Sequence, residues 1–327
     1  MFYIFIFTTI SCILVIVTNV HYELNEISRE GVTIMKIGVV HFGCALAGAS
    51  EIVRTLVEEA LIQGDMVYGI EWNASAKKIQ QTELDRNSLH TFGFNRYRLN
   101  RFSINIWNEQ LDKIASELSE LDQVILLGDT KANLDHFTSK LLVVPISYYN
   151  NINGSQATLG YDTALNSIVE SIESVRDTAS SLSYGKVRVF NVQIPGYESS
   201  RLLNDTALAV DAEVVDQVSD DVINHLKQHI RNKEANKEGY TFFVMDNSVD
   251  PEELGKHFEE FDLDWKAVVI DESQCGGPYP TAVDRLLANQ LKRAVVEWVR
   301  SNHKSGQLLI QDNKVILSEL KQSEGIK

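Results

Sequence analysis

The sequence predicts an α/β protein built on doubly wound parallel sheets, and three observations carry that prediction. Short apolar runs alternate with longer stretches whose apolar residues recur at helical spacing. The second half of the chain repeats the style of the first. The 327 residues, 44% of them hydrophobic, suffice for two domain cores rather than one. Strands that alternate with helices in this way form a parallel sheet covered on both faces.

Taken in order, residues 37–40 read as a short apolar strand. Residues 51–62 place Ile52, Val53, Leu56, Val57, Ala60 and Leu61 on one helical face and stop at Gly64. A second strand spans 66–70, an amphipathic helix 107–121, and a buried strand 123–127 that runs into Gly128 and Asp129. Residues 141–145 form the next strand and 163–174 the next helix. Beyond them, 187–192, 241–245 and 267–270 read as strands, with helices at 203–209, 218–230, 250–258 and 282–299. No Pro/Gly-rich linker separates the halves. In such sheets ligands sit in loops beyond the carboxyl ends of strands. Residues 42–48, 128–131, 146–151 and the loop after Met245 are therefore the expected site walls.

Acidic residues outnumber basic ones by 45 to 30, a net charge of −15. This balance argues against nucleic acid or an anionic membrane as partner and suits an acidic cytoplasmic protein. Cys12, Cys44 and Cys275 form no C-x-x-C pair. His225 and His229 share a helix face, but with no third ligand near them in sequence they read as a solvated face. Residues 1–20 are almost wholly apolar and uncharged, long enough to span a bilayer. They lack the basic start of a secretory signal. A membrane anchor and a start codon placed too early both remain open. Met35, where the first strand begins, is the favoured start.

The segment from Pro145 to Leu165 carries the strongest signal. It keeps Pro145, Asn150, Ile152, Gly154, Thr158, Gly160, Thr163 and Ala164. This frame resembles the catalytic segment of bacterial-type ATP-dependent 6-phosphofructokinases, P-G-T-I-D-N-D-I-x-G-T-D-x-T-I-G-F-x-T-A. Where the family places two aspartates this chain has Tyr149 and Asn151, so the chain is read as a degenerate member. The resemblance implies two Rossmann-like domains, the phosphofructokinase fold. Residues 35–160 plus 274–310 would form the nucleotide-binding-like domain, and 161–273 plus 311–327 the sugar-phosphate-binding-like domain. Residues 1–34 would be an extension.

The resemblance also assigns residues. Gly43, Cys44, Arg96, Gly128 and Thr130 fall at nucleotide-binding positions, and Asp129 at the magnesium position. Lys186, Asp246 and Lys266 fall at sugar-phosphate positions, and Arg54, Glu213 and Lys237 at effector-site positions. Glu272 and Cys275 replace a phosphate-binding histidine and arginine, and Glu58 an arginine. Arg96, Arg98 and Arg101 make either a basic spot for an anion or, equally, a solvated basic loop. Asp284 and Arg285 keep a signature that caps and packs the last long helix.

Phosphoryl transfer to a hydroxyl needs that proton removed, and losing a positioned base costs ~10²–10⁴ in rate. A phenol with an ordinary pKa near ~10 does not supply it. The reading is a catalytically impaired pseudoenzyme with a binding or regulatory role; the alternative is a divergent but active 6-phosphofructokinase. Magnesium and ATP would serve any remaining activity. The implied partners are a nucleotide or sugar phosphate and an oligomer with itself or an active phosphofructokinase, with no nucleic acid.

Overall fold

The computed structural model describes residues 34–43, 48–89, 100–128, 131–181, 185–196, 200–301 and 303–320. Elements are numbered below in chain order among these residues. The N-terminal apolar stretch, the first thirty-three residues, lies outside them.

The first strand, β1 (Lys36–His41), is buried at every position after its first. It pairs in parallel with β2 (Met66–Asn73) on one side and β4 (Gln123–Leu127) on the other. The intervening α1 (Ala49–Gln63) buries Ile52, Val53, Leu56, Val57 and Ala60, as its periodicity predicts, leaves Leu61 exposed against that expectation, and ends at Gly64. β4 in turn pairs in parallel with β5 (Lys140–Val144). Continuous apolar runs suit these central strands because both faces are covered.

The edges differ from the all-parallel expectation. β3 (Lys78–Glu83) returns antiparallel along β2, and β11 (Lys314–Glu319) antiparallel along β10 (Gly306–Gln311). The seven-stranded order is β11-β10-β5-β4-β1-β2-β3. Neither outer strand was legible, because β3 buries only Ile79 and β11 buries no residue fully. Residues 311–327 were expected with the second domain; β11 instead closes the first sheet.

The second sheet is wholly parallel, in the order β7-β8-β6-β9. It comprises β6 (Arg188–Gln193), β7 (Glu213–Val215), β8 (Tyr240–Met245) and β9 (Asp264–Val269). Its helices are α5 (Tyr161–Ser180), α6 (Arg201–Ala209), α7 (Asp220–Ala235) and α8 (Pro251–Gly255). Serine caps set two of the starts: Ser200 accepts from Leu203 N–H and Ser219 from Val222 N–H.

The predicted 107–121 helix is divided. After the four-residue α2 (Arg86–Leu89) come α3 (Ile104–Glu109), capped by Ser103, and α4 (Leu111–Glu117), with Gln110 out of helical geometry between them. Leu118 and Leu121 leave the helix but stay buried, which is why the apolar pattern ran past its end. The last helices are α9 (Glu272–Cys275) and α10 (Ala282–Arg300). Among the described residues, no helix is long and apolar enough to cross a membrane.

Candidate functional site

The site is built where the carboxyl ends of β1, β4 and β5 converge. Past β1, Phe42 N–H donates to Leu127 O at 2.9 Å and Phe102 N–H to His41 O at 2.7 Å. Edge-to-face contacts of Phe42 with Phe102 and Trp107 fix the ring beneath. Gly43 is thereby brought against Gly128. A Cβ on Gly128 would lie 3.1 Å from Gly43 N and 3.6 Å from Ile146 O, at φ +119°. Only glycine fits there. Cys44, Arg96, Asp129 and Thr130 lie outside the described residues.

The loop after β5 is held by its own backbone and hydroxyl groups. Ser147 N–H donates to Leu159 O, Leu159 N–H to Pro145 O, and the Thr158 hydroxyl to Ser147 O. Ser147 Oγ accepts from Tyr149 N–H at 3.1 Å and donates to Asn151 Oδ1 at 2.7 Å. Asn151 therefore works inside the loop. Asn150 stands at φ +50° and its amide donates to Gln156 O.

The loop ends at Gly160, which opens α5 at φ +97° with no side-chain cap of its own. Asp284 supplies one from α10: its carboxylate accepts from Gly160 N–H and Thr163 N–H, both at 2.8 Å, and from the Thr163 hydroxyl. Asp284 is buried, and burial raises its pKa against these hydrogen bonds. Asp284 does not cap its own helix, which Thr281 caps; it ties the start of α5 to that of α10.

Tyr149 faces the other way. Its phenol donates to Glu272 Oε1 at 3.1 Å. Glu272 Oε2 accepts from Arg101 Nη1 at 3.2 Å, and Arg101 Nε donates to Phe42 O at 2.9 Å. A continuous chain thus runs from Tyr149 in the loop after β5, through Glu272 at the start of α9 and Arg101 before α3, to Phe42 O after β1. Arg101, expected in an anion-binding spot, is spent on a carboxylate and a carbonyl.

The Tyr149 ring also packs on Gly196: a Cβ there would lie 3.5 Å from Tyr149 Cε1 and 3.8 Å from Asp246 Cβ. Asp246, just past β8, is 0% exposed. Its Oδ1 accepts from Ser248 N–H and the Ser248 hydroxyl, while Oδ2 has no hydrogen-bond partner among the described residues. Tyr149, Glu272 and Asp246 are thus brought together.

Two further groups were not foreseen in their state. His41 is buried at the end of β1; burial, and then the Arg101 charge, lower its pKa to about 4, so it is neutral near pH 7. Cys275 is buried with Sγ 3.6 Å from Asp271 O. Burial, aided by Glu272 and Asp271, pushes its thiol up to about 12. It is neither a nucleophile nor a stand-in for a cation.

Lys186 and Lys266 do not join this cluster within the chain. Lys186 precedes β6 at its amino end and pairs with Asp262 at 3.1 Å. Lys266, midway along β9, pairs with Asp264 at 3.0 Å. The register pairs Arg188 with Tyr240 and Gln193 with Met245, so Lys186 and Asp246 sit at opposite ends of the sheet.

The expected effector residues also stand apart. Arg54 on α1 is bonded to Glu58 at 2.9 Å. Glu213 takes His225 on one carboxylate oxygen and His229 on the other, both at 2.8 Å. Lys237 follows α7 at φ +58°. Glu213 is the carboxylate that the spacing of the two histidines could not show. Among the described residues, no group of three His, Cys, Asp or Glu is arranged to hold a metal ion.

Comparison with known proteins places this arrangement. Residues 36–299 match the family described as Phosphofructokinase. An ATP-dependent 6-phosphofructokinase of Bacillus cereus (strain B4264) is 29% identical over 302 residues, covering 86% of this chain and 91% of the relative. One of Listeria welshimeri serovar 6b is 25% identical over 299 residues, with 86% and 91% covered. Among solved structures, a pyrophosphate-dependent phosphofructokinase from Marinobacter aquaeolei superposes with a TM-score of 0.69 at 12% identity, covering 90% of this chain and 84% of that one. Phosphofructokinase from Saccharomyces cerevisiae gives 0.68 at 20% identity over 87% of this chain, which spans only 43% of the yeast chain. With the two sheets, the loop frame after β5 and a match that runs from β1 into α10, this chain belongs to the phosphofructokinase family.

Proposed function

We propose that this chain is a catalytically impaired phosphofructokinase-family protein that acts through binding or regulation. One observation carries the reading. At the position that resembles the family's proton acceptor stands Tyr149, whose phenol is tied to Glu272 at 3.1 Å. A phenol that donates to a carboxylate is poorly placed to take a proton from a sugar hydroxyl. Glu272, where the family resemblance implies a phosphate-binding histidine, places negative charge beside any incoming phosphate.

The proposed ligand positions are Gly43, Cys44, Arg96, Gly128 and Thr130 for a nucleotide, Asp129 for magnesium, and Lys186, Asp246 and Lys266 for a sugar phosphate. Lys186 and Lys266 lie away from Asp246 in one chain. We therefore place them toward a neighbouring copy, as in an oligomer with itself or with an active phosphofructokinase. Arg54, Glu213 and Lys237 would form an effector surface in the same way. The proposed compartment is the cytoplasm.

The competing reading is a divergent but active 6-phosphofructokinase, and the match spanning residues 36–299 is shared by both readings. Incubation with Mg-ATP and fructose 6-phosphate, with fructose 1,6-bisphosphate detected by mass, separates the two. The expected result is a rate at least ~10² below an active relative. A rate near that relative's, abolished by Asp129→Asn, would overturn the proposal.

A further inference from the structure

Helices α1 and α10 run side by side in the same direction. Near their starts they touch, so that a Cβ on Gly48 would lie 3.2 Å from Ala288 Cβ. Near their ends Glu59 pairs with Arg300 across the gap. At that end the two helices leave an open cavity of about 480 Å³. Clefts of this size take small molecules. Arg54 and Glu58, which are bonded to each other, do not line it, so it is separate from the effector position on α1.

Its charge is unlike that of the chain. Lys292 and Arg293 line it, and among the described residues neither has an ion-pair partner. Glu297 lines it too; its carbonyl accepts from Ser301 N–H and the Ser301 hydroxyl, while its carboxylate makes no ion pair among the described residues. Glu59 and Arg300 cancel each other. Two unpaired cations against one carboxylate leave a single positive charge, in a protein of net charge −15. Val296 lines the same cavity, and the methylene stems of Lys292 and Arg293 add apolar surface. A narrower slot shares Glu59, Val296 and Arg300 with it and carries the apolar wall on to the buried Leu56, Ala60 and Val299.

We propose that this groove binds a small monoanion with an apolar body, a medium-chain carboxylate, its acid group held by Lys292 and Arg293 and its tail along Val296. A guanidinium and an ammonium side by side suit one carboxylate. A polyphosphate brings more negative charge than this site neutralises and sets it beside Glu297 and Glu59. None of the strand-end residues lines the groove, so its occupant does not depend on whether phosphate is transferred.

Titration calorimetry of the full chain with sodium octanoate tests this, with acetate, 1-octanol and inorganic phosphate as comparisons. Octanoate should bind at one site per chain with a Kd at least about tenfold lower than each comparison compound. It should also raise the melting temperature as its concentration rises. Lys292→Gln combined with Arg293→Gln should weaken octanoate at least about tenfold, and Glu297→Gln should tighten it about threefold. These three side chains are exposed or half-buried and make no ion pairs among the described residues, so the variants keep the fold. Absence of octanoate binding would overturn the proposal, as would octanoate binding that survives the double substitution. Equal binding of 1-octanol would reduce the groove to an apolar surface, and tighter phosphate binding lost in the double variant would make it an inorganic-anion site. Either result also overturns the proposal.

Discussion

Two neighbouring parts of the same loop have had opposite fates. From Asn150 to Thr163, the residues that match the family frame are consumed in internal hydrogen bonds: Thr158 to Ser147 O, Asn150 to Gln156 O, Gly160 and Thr163 to Asp284. At Tyr149, residues that would face a ligand have changed, and they bond to one another across the strand ends. The difference follows from where each group finds its partner. A frame residue satisfies buried backbone, so replacing it costs stability at once. A ligand-facing residue costs nothing in the folded protein if the new side chain finds a new partner, as Tyr149 and Glu272 do.

That contrast breaks most readily at Asp284. Asp284→Ala leaves two buried amides and the Thr163 hydroxyl without an acceptor. It should cost about 3–5 kcal/mol of stability, read from urea unfolding. A loss under about 1 kcal/mol would mean that the frame is not what holds this loop.

Next comes His41, at the base of the site. An unfolded histidine titrates near 6.5, but the folded one only near about 4. Between these values the unfolded state binds the extra proton, so stability is complete above pH 6.5 and falls as pH falls toward 4. The gap corresponds to about 3 kcal/mol. His41→Gln should unfold with a visibly flatter pH dependence between 6.5 and 4.5. Parallel curves for the two proteins would remove His41 from the account.

The ligand-facing side should respond far less. Tyr149→Phe removes one hydrogen bond to a charged group that is partly open to water, for an expected loss of about 1 kcal/mol. Arg101→Ala breaks an ion pair whose side chains are 57% and 41% exposed, and should cost under ~1 kcal/mol. Losses at these two positions that rival Asp284 would turn the Tyr149–Glu272–Arg101 chain into frame rather than altered site.

Much of this was legible beforehand. The strand over 123–127 coincides with β4, and α1 ends at Gly64 as its pattern implied. Continuous apolar runs and strong periodicity announce central elements, because burial on both faces demands them. The pattern was silent where burial is one-sided or absent, as in β3 and β11. It misled at 107–121, where the apolar spacing continued through Leu118 and Leu121 after the helix had ended. In the site, the substitutions at Tyr149, Asn151 and Glu272 were visible as residue types, but their partners were not. Nothing local links Tyr149 to Glu272, 123 positions later, or Glu272 to Arg101, 171 positions earlier.

By itself, the order of residues determined the alternation of strands and helices, the parallel central sheets and the family frame after β5. Each is set by contacts within a turn or a strand, which periodicity and spacing encode. Only the tertiary structure decided that Asp284 caps a helix other than its own. It alone decided that His41 is neutral, that Arg101 is spent, and that Asp246 keeps one oxygen open. These depend on burial and on partners distant in the chain. A charge or a hydrogen bond takes its meaning from what surrounds it, and that is settled when the strand ends converge.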